Sequence, residues 1–104
     1  MIAISATDKK LTASMDIRFG RSPYFLLTDG TVTRFIANPF CDEDDNVAPK
    51  VVDLLKKEEV SKLVTGEIGP KAKARLDEAK IQIIMLTEDK ISLLHVLKKM
   101  NMAR

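Results

Sequence analysis

The chain opens on Ile2-Ala3-Ile4-Ser5-Ala6, a short apolar run rich in β-branched side chains that predicts a strand. Residues 7–22 show no clean period and carry Asp8, Lys9, Lys10, Asp16, Arg18 and Arg21. A long loop is expected there, and long loops in compact domains are often functional. Two further strands are predicted at 24–28 and 31–37. Asp29-Gly30 between them signals a two-residue hairpin of type I′, whose central residues both need positive φ. In the later strand Val32 and Arg34 alternate with Thr33 and Phe35, which fits an edge or half-exposed place.

A second loop, 38–46, is acidic at Asp42-Glu43-Asp44-Asp45. The spacing of Val47, Val51 and Leu55, with Ala48 and Val52, then predicts a helix from Val47 to about Lys57, capped by Asn46 with Pro49 in its first turn. Leu63-Val64-Thr65 reads as a short buried strand. Gly66-Glu67-Ile68-Gly69 turns the chain into a second helix that Pro70 opens and Ala72, Leu76 and Ala79 face inward. Residues 81–86 are nearly all apolar and predict a last strand buried on both faces. Thr87-Glu88-Asp89 is expected to start a third helix, with acids at its positive end and Leu93, Val96, Leu97 and Met100 as its core stripe. Met85 is also expected in the core. The order β-β-β-α-β-α-β-α, with right-handed crossovers, implies an α/β fold: a five-stranded mixed sheet flanked by three helices. It resembles the ribonuclease H-like architecture, with sheet order 3-2-1-4-5 and strand 2 antiparallel.

Composition narrows the setting. With 104 residues the chain is expected to form a single domain, residues 1–104. One cysteine, Cys41, cannot form an internal disulfide; that and the lack of a signal peptide lead us to expect a reducing, cytoplasmic location. The run Ile83-Ile84-Met85-Leu86 is far short of the ~20 apolar residues of a membrane span. A net charge of +2, no Trp and one Tyr argue against nucleic acid as partner.

Several constellations bear on chemistry. Two-metal nuclease work needs carboxylates projecting from the strands, and neither Ile2-Ala3-Ile4-Ser5-Ala6 nor Leu63-Val64-Thr65 carries one; Asp8 and Glu67 lie beyond strand ends. Asp42, Asp44 and Asn46 begin like a calcium loop, but Val47 stands where glycine is needed and Asp53 where a bidentate glutamate is usual. Thr65-Gly66-Glu67-Ile68-Gly69-Pro70-Lys71-Ala72 lacks the spacing of a Walker loop. Two readings of it remain: glycines serving positive φ and a tight cap, or a helix start whose N–H groups bind an anion. His95 falls on the outer face of the third helix, an ordinary solvated position. Cys41 can supply one metal ligand but not build a cluster by itself.

Two segments carry a family resemblance: Arg18-Phe19-Gly20-Arg21-Ser22-Pro23-Tyr24-Phe25, and Val64-Thr65-Gly66-Glu67-Ile68-Gly69-Pro70-Lys71-Ala72 followed by Leu76 and Ala79-Lys80-Ile81. In this order and spacing they resemble the dinitrogenase iron–molybdenum cofactor-binding family, the small NifX-like proteins that also form the tail domain of NifB. The resemblance implies the ribonuclease H-like fold. It also implies a non-catalytic protein that binds or carries an iron–sulfur or iron–molybdenum–sulfur cluster during metallocofactor assembly. Its partners would be assembly proteins or a cluster acceptor, and the chain a monomer or weak homodimer. Arg18, Phe19, Gly20, Arg21, Gly66, Gly69 and Lys71 become the cofactor-binding residues by this resemblance, with Cys41 the best available metal ligand on chemical grounds. Relatives often have histidine where Arg18 stands, and a glycine-rich segment where this chain is acidic at 42–45. The alternative expectation is a regulatory or interaction module that keeps the fold without a cofactor, in which Arg21 ties a loop to the sheet.

Overall fold

A computed structural model describes residues 1–43, 46–88 and 90–100. The expected acidic residues Asp44 and Asp45, and the Asp89 end of the expected helix start, lie outside the described residues. The elements are β1 (Ile2–Ala6), β2 (Tyr24–Thr28), β3 (Thr33–Ala37), α1 (Val47–Lys57), β4 (Lys62–Thr65), α2 (Pro70–Glu78), β5 (Gln82–Met85) and α3 (Leu93–Lys99). They form one five-stranded sheet of order β3-β2-β1-β4-β5. β2 runs antiparallel to both β1 and β3, while β4 is parallel to β1 and to β5. The expected mixed sheet and its strand order are therefore present.

β1 lies at the centre, and its alternation assigns side chains to two cores. Ile2, Ile4 and Ala6 join Leu26, Val64 and the α3 residues Leu93 and Val96 on one face. Ala3 joins Phe25, Leu27, Leu63, Val51 and Leu76 on the other, under α1 and α2. Val51 and Leu55 are fully buried as the helix phase requires, whereas Val47 is only partly so, because it sits at the open end of α1.

Five local expectations are corrected. The hairpin turn is a four-residue connection, since Thr28 pairs with Thr33 and the Asp29 N–H donates to the Val32 carbonyl at 3.3 Å. Asp29 is not left-handed; only Gly30 has positive φ there, and Asp29 Oδ1 accepts from the Thr31 and Val32 amides, both at 2.8 Å. Its carboxyl is held below the usual range by the Val32 amide first and the Thr31 amide second. Asn46 enters α1 with φ 57° and gives no side-chain cap, a conformation asparagine tolerates. β5 is an edge strand, not one buried on both faces: Met85 is 48% exposed, because nothing follows β5 in the sheet. α3 starts four residues beyond Asp89, capped by Ser92, whose Oγ accepts from the His95 amide at 3.1 Å. Glu88 accordingly pairs with Lys99 in the last turn of α3 at 2.7 Å, which lowers its pKa.

The fifth correction concerns residues 7–22, which are integral to the core. Ala13 and Met15 are buried against α3, and Phe19 packs on Phe25 with ring centroids 5.9 Å apart. The segment is sewn to the sheet by single bridges, Ala6 with Met15 and Arg18 with Glu67. Gly66 permits this approach. A Cβ there would stand 2.7 Å from the Ile17 Cα, closer than real contacts allow, while its φ is not left-handed.

Three outcomes are expected. Val51→Ala lowers unfolding free energy by about 1–3 kcal/mol in urea titration, through lost methyl burial. Gly66→Ala lowers it by about 1–3 kcal/mol, because the added methyl overpacks backbone against backbone. For Asp29 the folded pKa is depressed, so its stabilisation is present above the unfolded carboxyl value and lost as pH falls through the folded one. The melting-temperature gap between the parent and Asp29→Ala should therefore close on acidification below the carboxylate range.

Candidate functional site

The C-terminal ends of β1 and β4 point toward one end of the sheet, where open α/β sheets form their ligand crevices. There the segment 7–22 and the β4–α2 turn lie side by side and enclose a cavity of about 660 Å³ with the start of α1. Arg18, Phe19, Gly20 and Arg21 line one wall, Glu67, Ile68, Gly69, Pro70, Lys71 and Ala72 the other, and Val47 and Ala48 close it. Six of the seven residues singled out in the sequence for cofactor binding thus meet around one space. Gly66 does not line it and acts through the Ile17 contact instead.

The wall carrying Arg18 is built from buried polar ties. The Asp16 amide donates to the Ser5 carbonyl at 2.9 Å. The Ser5 hydroxyl donates back to the Asp16 carbonyl at 2.5 Å and lies 2.8 Å from the Thr65 hydroxyl. Asp16 is itself buried, and its carboxylate accepts from the Arg18 amide at 2.9 Å and from Arg18 Nε and Nη2, both at 3.0 Å. This fork pairing raises the Arg18 pKa, first through the hydrogen bond and then through charge.

Asn38 holds the next stretch. Its buried amide donates to the Gly20 carbonyl at 3.1 Å and the Ser22 carbonyl at 2.9 Å, and its Oδ1 accepts from the Phe40 amide at 3.1 Å. Arg21 is exposed and donates to the Glu43 carbonyl, and at 3.5 Å to that of Cys41, which links segment 7–22 to the loop after β3. Phe19 is a core residue whose ring forms floor rather than rim. At Gly20 a Cβ would lie 3.0 Å from Val47 Cγ1, a tight contact with a side-chain atom.

Gly69 is different. Its φ is −73°, so the positive-φ reading fails here, and a Cβ would meet nothing within 4 Å. It caps α2 ahead of Pro70; the first helical bond runs from the Lys73 amide to the Gly69 carbonyl at 2.9 Å, leaving the Lys71 and Ala72 amides ahead of the ladder. Neither α1 nor α2 has an acid in its first turn, so two positive helix ends border the cavity. Lys71 forms no ion pair among the described residues. It also lines an adjoining groove of about 390 Å³ with Ala74 and Arg75.

Cys41, the metal-ligand candidate of the sequence, lies near enough to Arg18 to act on its charge. It is half-buried at this end of the molecule, yet it does not line the cavity, because the loop meets Arg21 through its carbonyl. No group of three or more His, Cys, Asp or Glu able to hold a metal ion occurs among the described residues. His95 is exposed on α3, away from the cavity. Asp16, Asn38, Val47 and Ile68 are site residues that sequence reasoning missed. Only the proximity of Asp16 to Arg18 was a usable signal. No helix of the described residues is long and apolar enough to cross a membrane.

Comparison with known proteins adds relatives to this geometry. The apo form of the orange protein from Desulfovibrio gigas superposes with a TM-score of 0.88 at 24% identity, covering 96% of this chain and 85% of that one. A putative NifB protein from Thermotoga, solved by NMR, gives 0.80 at 22% identity, with 96% and 85% coverage. Both likenesses show the shared fold. No curated protein matches the chain. The family model for dinitrogenase iron–molybdenum cofactor matches residues 1–102, both motif segments included, and the chain belongs to that family.

Proposed function

We propose that this protein is a non-catalytic carrier of an anionic metal–sulfur cluster, of iron–sulfur or iron–molybdenum–sulfur type, held in the cavity between Arg18-Phe19-Gly20-Arg21 and the start of α2. The observation that carries the reading is the chemistry of that cavity. Its walls offer cationic side chains, amide N–H groups ahead of the α2 ladder, and an apolar floor from Phe19, Val47 and Ile68. A cluster with its own sulfide or thiolate shell is anionic and accepts hydrogen bonds at sulfur, so such a site suits it. A cavity without a thiol favours cargo that arrives with its metal–sulfur bonds complete and leaves without breaking any to the protein. Family membership supports an association with metallocofactor assembly, and hence assembly proteins or a cluster acceptor as partners. The strand order supports the ribonuclease H-like architecture for a single domain.

Gly69 offers the cleanest test, since its missing Cβ is not required by packing. Anaerobic titration with a thiolate-capped [4Fe–4S] cluster should leave visible-range absorbance on the protein after desalting. Gly69→Ala should melt like the parent yet bind roughly tenfold more weakly, equivalent to about 1.4 kcal/mol. Lys71→Ala should weaken binding by a similar factor at low ionic strength, and Cys41→Ser should bind as the parent does. A parent that retains no cluster would instead favour the interaction module.

A further inference from the structure

Arg18 stands between two cavities. Its outer side lines the large one, and behind it a smaller space of about 220 Å³ is bordered by Asp16, Met15, Thr7 and Lys90. Asp16 lines only the rear space. Its carboxylate is buried, at 4% exposure, while the Arg18 side chain is 55% exposed. The carboxylate accepts from both Nε and Nη2 of a guanidinium whose residue lines both spaces, whereas the acid lines only the smaller one. Resting on the carrier reading above, we infer that Asp16 is a positioning residue that fixes Arg18 at the rim and masks its charge. Arg18 then supplies shape and N–H groups, and Lys71 supplies uncompensated charge, opposed by Glu67, the one carboxylate in the described lining. The effect is to hold an anion loosely enough to pass on. Because the acid is held in place by backbone bonds to Ser5, the masking is built into the fold and does not depend on a mobile surface ion pair.

The test compares the parent with Asp16→Asn, Arg18→Gln and the double variant. Binding of the thiolate-capped [4Fe–4S] cluster is titrated at low and high salt, and thermal unfolding is followed alongside. Unmasking the guanidinium in Asp16→Asn should tighten binding roughly tenfold at low ionic strength, with a steeper loss on adding salt. Arg18→Gln, which bares the Asp16 charge, should weaken it by about the same factor. The double variant removes the pair at constant net charge and should return to within about threefold of the parent, with the parent's salt dependence. A purely structural Asp16 would lower the melting temperature without tightening binding. Folded Asp16→Asn that binds as the parent or more weakly overturns the inference, as does a double variant as weak as Arg18→Gln. Should Asp16→Asn fail to fold, Asp16→Glu decides beside Arg18→Gln: it keeps the masking charge and should bind within about threefold of the parent, and an affinity as low as that of Arg18→Gln overturns the inference. A parent that binds no cluster sinks the carrier reading and this role with it, whereas a bound cluster with the wrong charge response sinks only the masking.

Discussion

The buried hydroxyl of Ser5 is the joint on which the site depends. It sits on the central strand with no access to water, so its polar atom must be satisfied inside the protein. It meets the Asp16 carbonyl and the Thr65 hydroxyl, one from the segment after β1 and one from the end of β4. Those two contacts bring both walls of the cavity to the same strand ends. Asp16 then directs Arg18, and the chain two residues on from Thr65 pairs with it through the Arg18–Glu67 bridge. Every buried side-chain nitrogen or oxygen among the described residues has a partner, so this polar seam stays within an otherwise apolar interior without cost in unmet hydrogen bonds.

Glycine has two separate uses around this seam. Gly66 is a close-approach residue, where a methyl would strike the Ile17 backbone, and at Gly20 a methyl would press on the Val47 side chain. Gly69 faces open space, so its lack of a side chain enlarges the cavity mouth without serving any contact within the protein. Dihedral freedom explains none of the three, since the described glycine at positive φ is Gly30, in the hairpin turn. The distinction separates what the fold needs from what a bound anion would need.

Electrostatics at the mouth follow from the same arrangement. Two helix starts without acids in their first turns, and a lysine in the first turn of α2, form a combination that helix stability alone would disfavour. Glu67 is the one acid in the described lining; Glu43 pairs with Lys50, Glu58 with Arg34 and Glu88 with Lys99, none of which line the cavity. Asp16, two residues before Arg18, is buried and engaged by its guanidinium.

Strand existence and helix phase were legible in the residues because each rests on a period of two or 3.6, or on a turn residue, all local properties; the sheet order followed from the order of elements, the handedness of crossovers and the resemblance to a known architecture. So was the pairing of the Arg18-Phe19-Gly20-Arg21 and Gly66-Glu67-Ile68-Gly69 segments at one end of the sheet, since parallel strands send their following loops to the same side. The burial of β5, the start of α3 and the form of the hairpin are not legible in the sequence, because there the local pattern meets an influence from outside the segment. β5 is apolar yet lies at an edge, and α3 waits for Ser92 because the chain first returns through Ile91 to pair with residues 13–15. Segment 7–22 looked formless because its order comes from contacts with β1, β4 and α3, none of them periodic in its own sequence. The residue types available to hold an anion were determined by the sequence. Which of them face the cavity, which are masked by Asp16, and that the Cys41 thiol is not among them were decided by tertiary structure, because those outcomes depend on buried hydrogen bonds between segments distant in the chain.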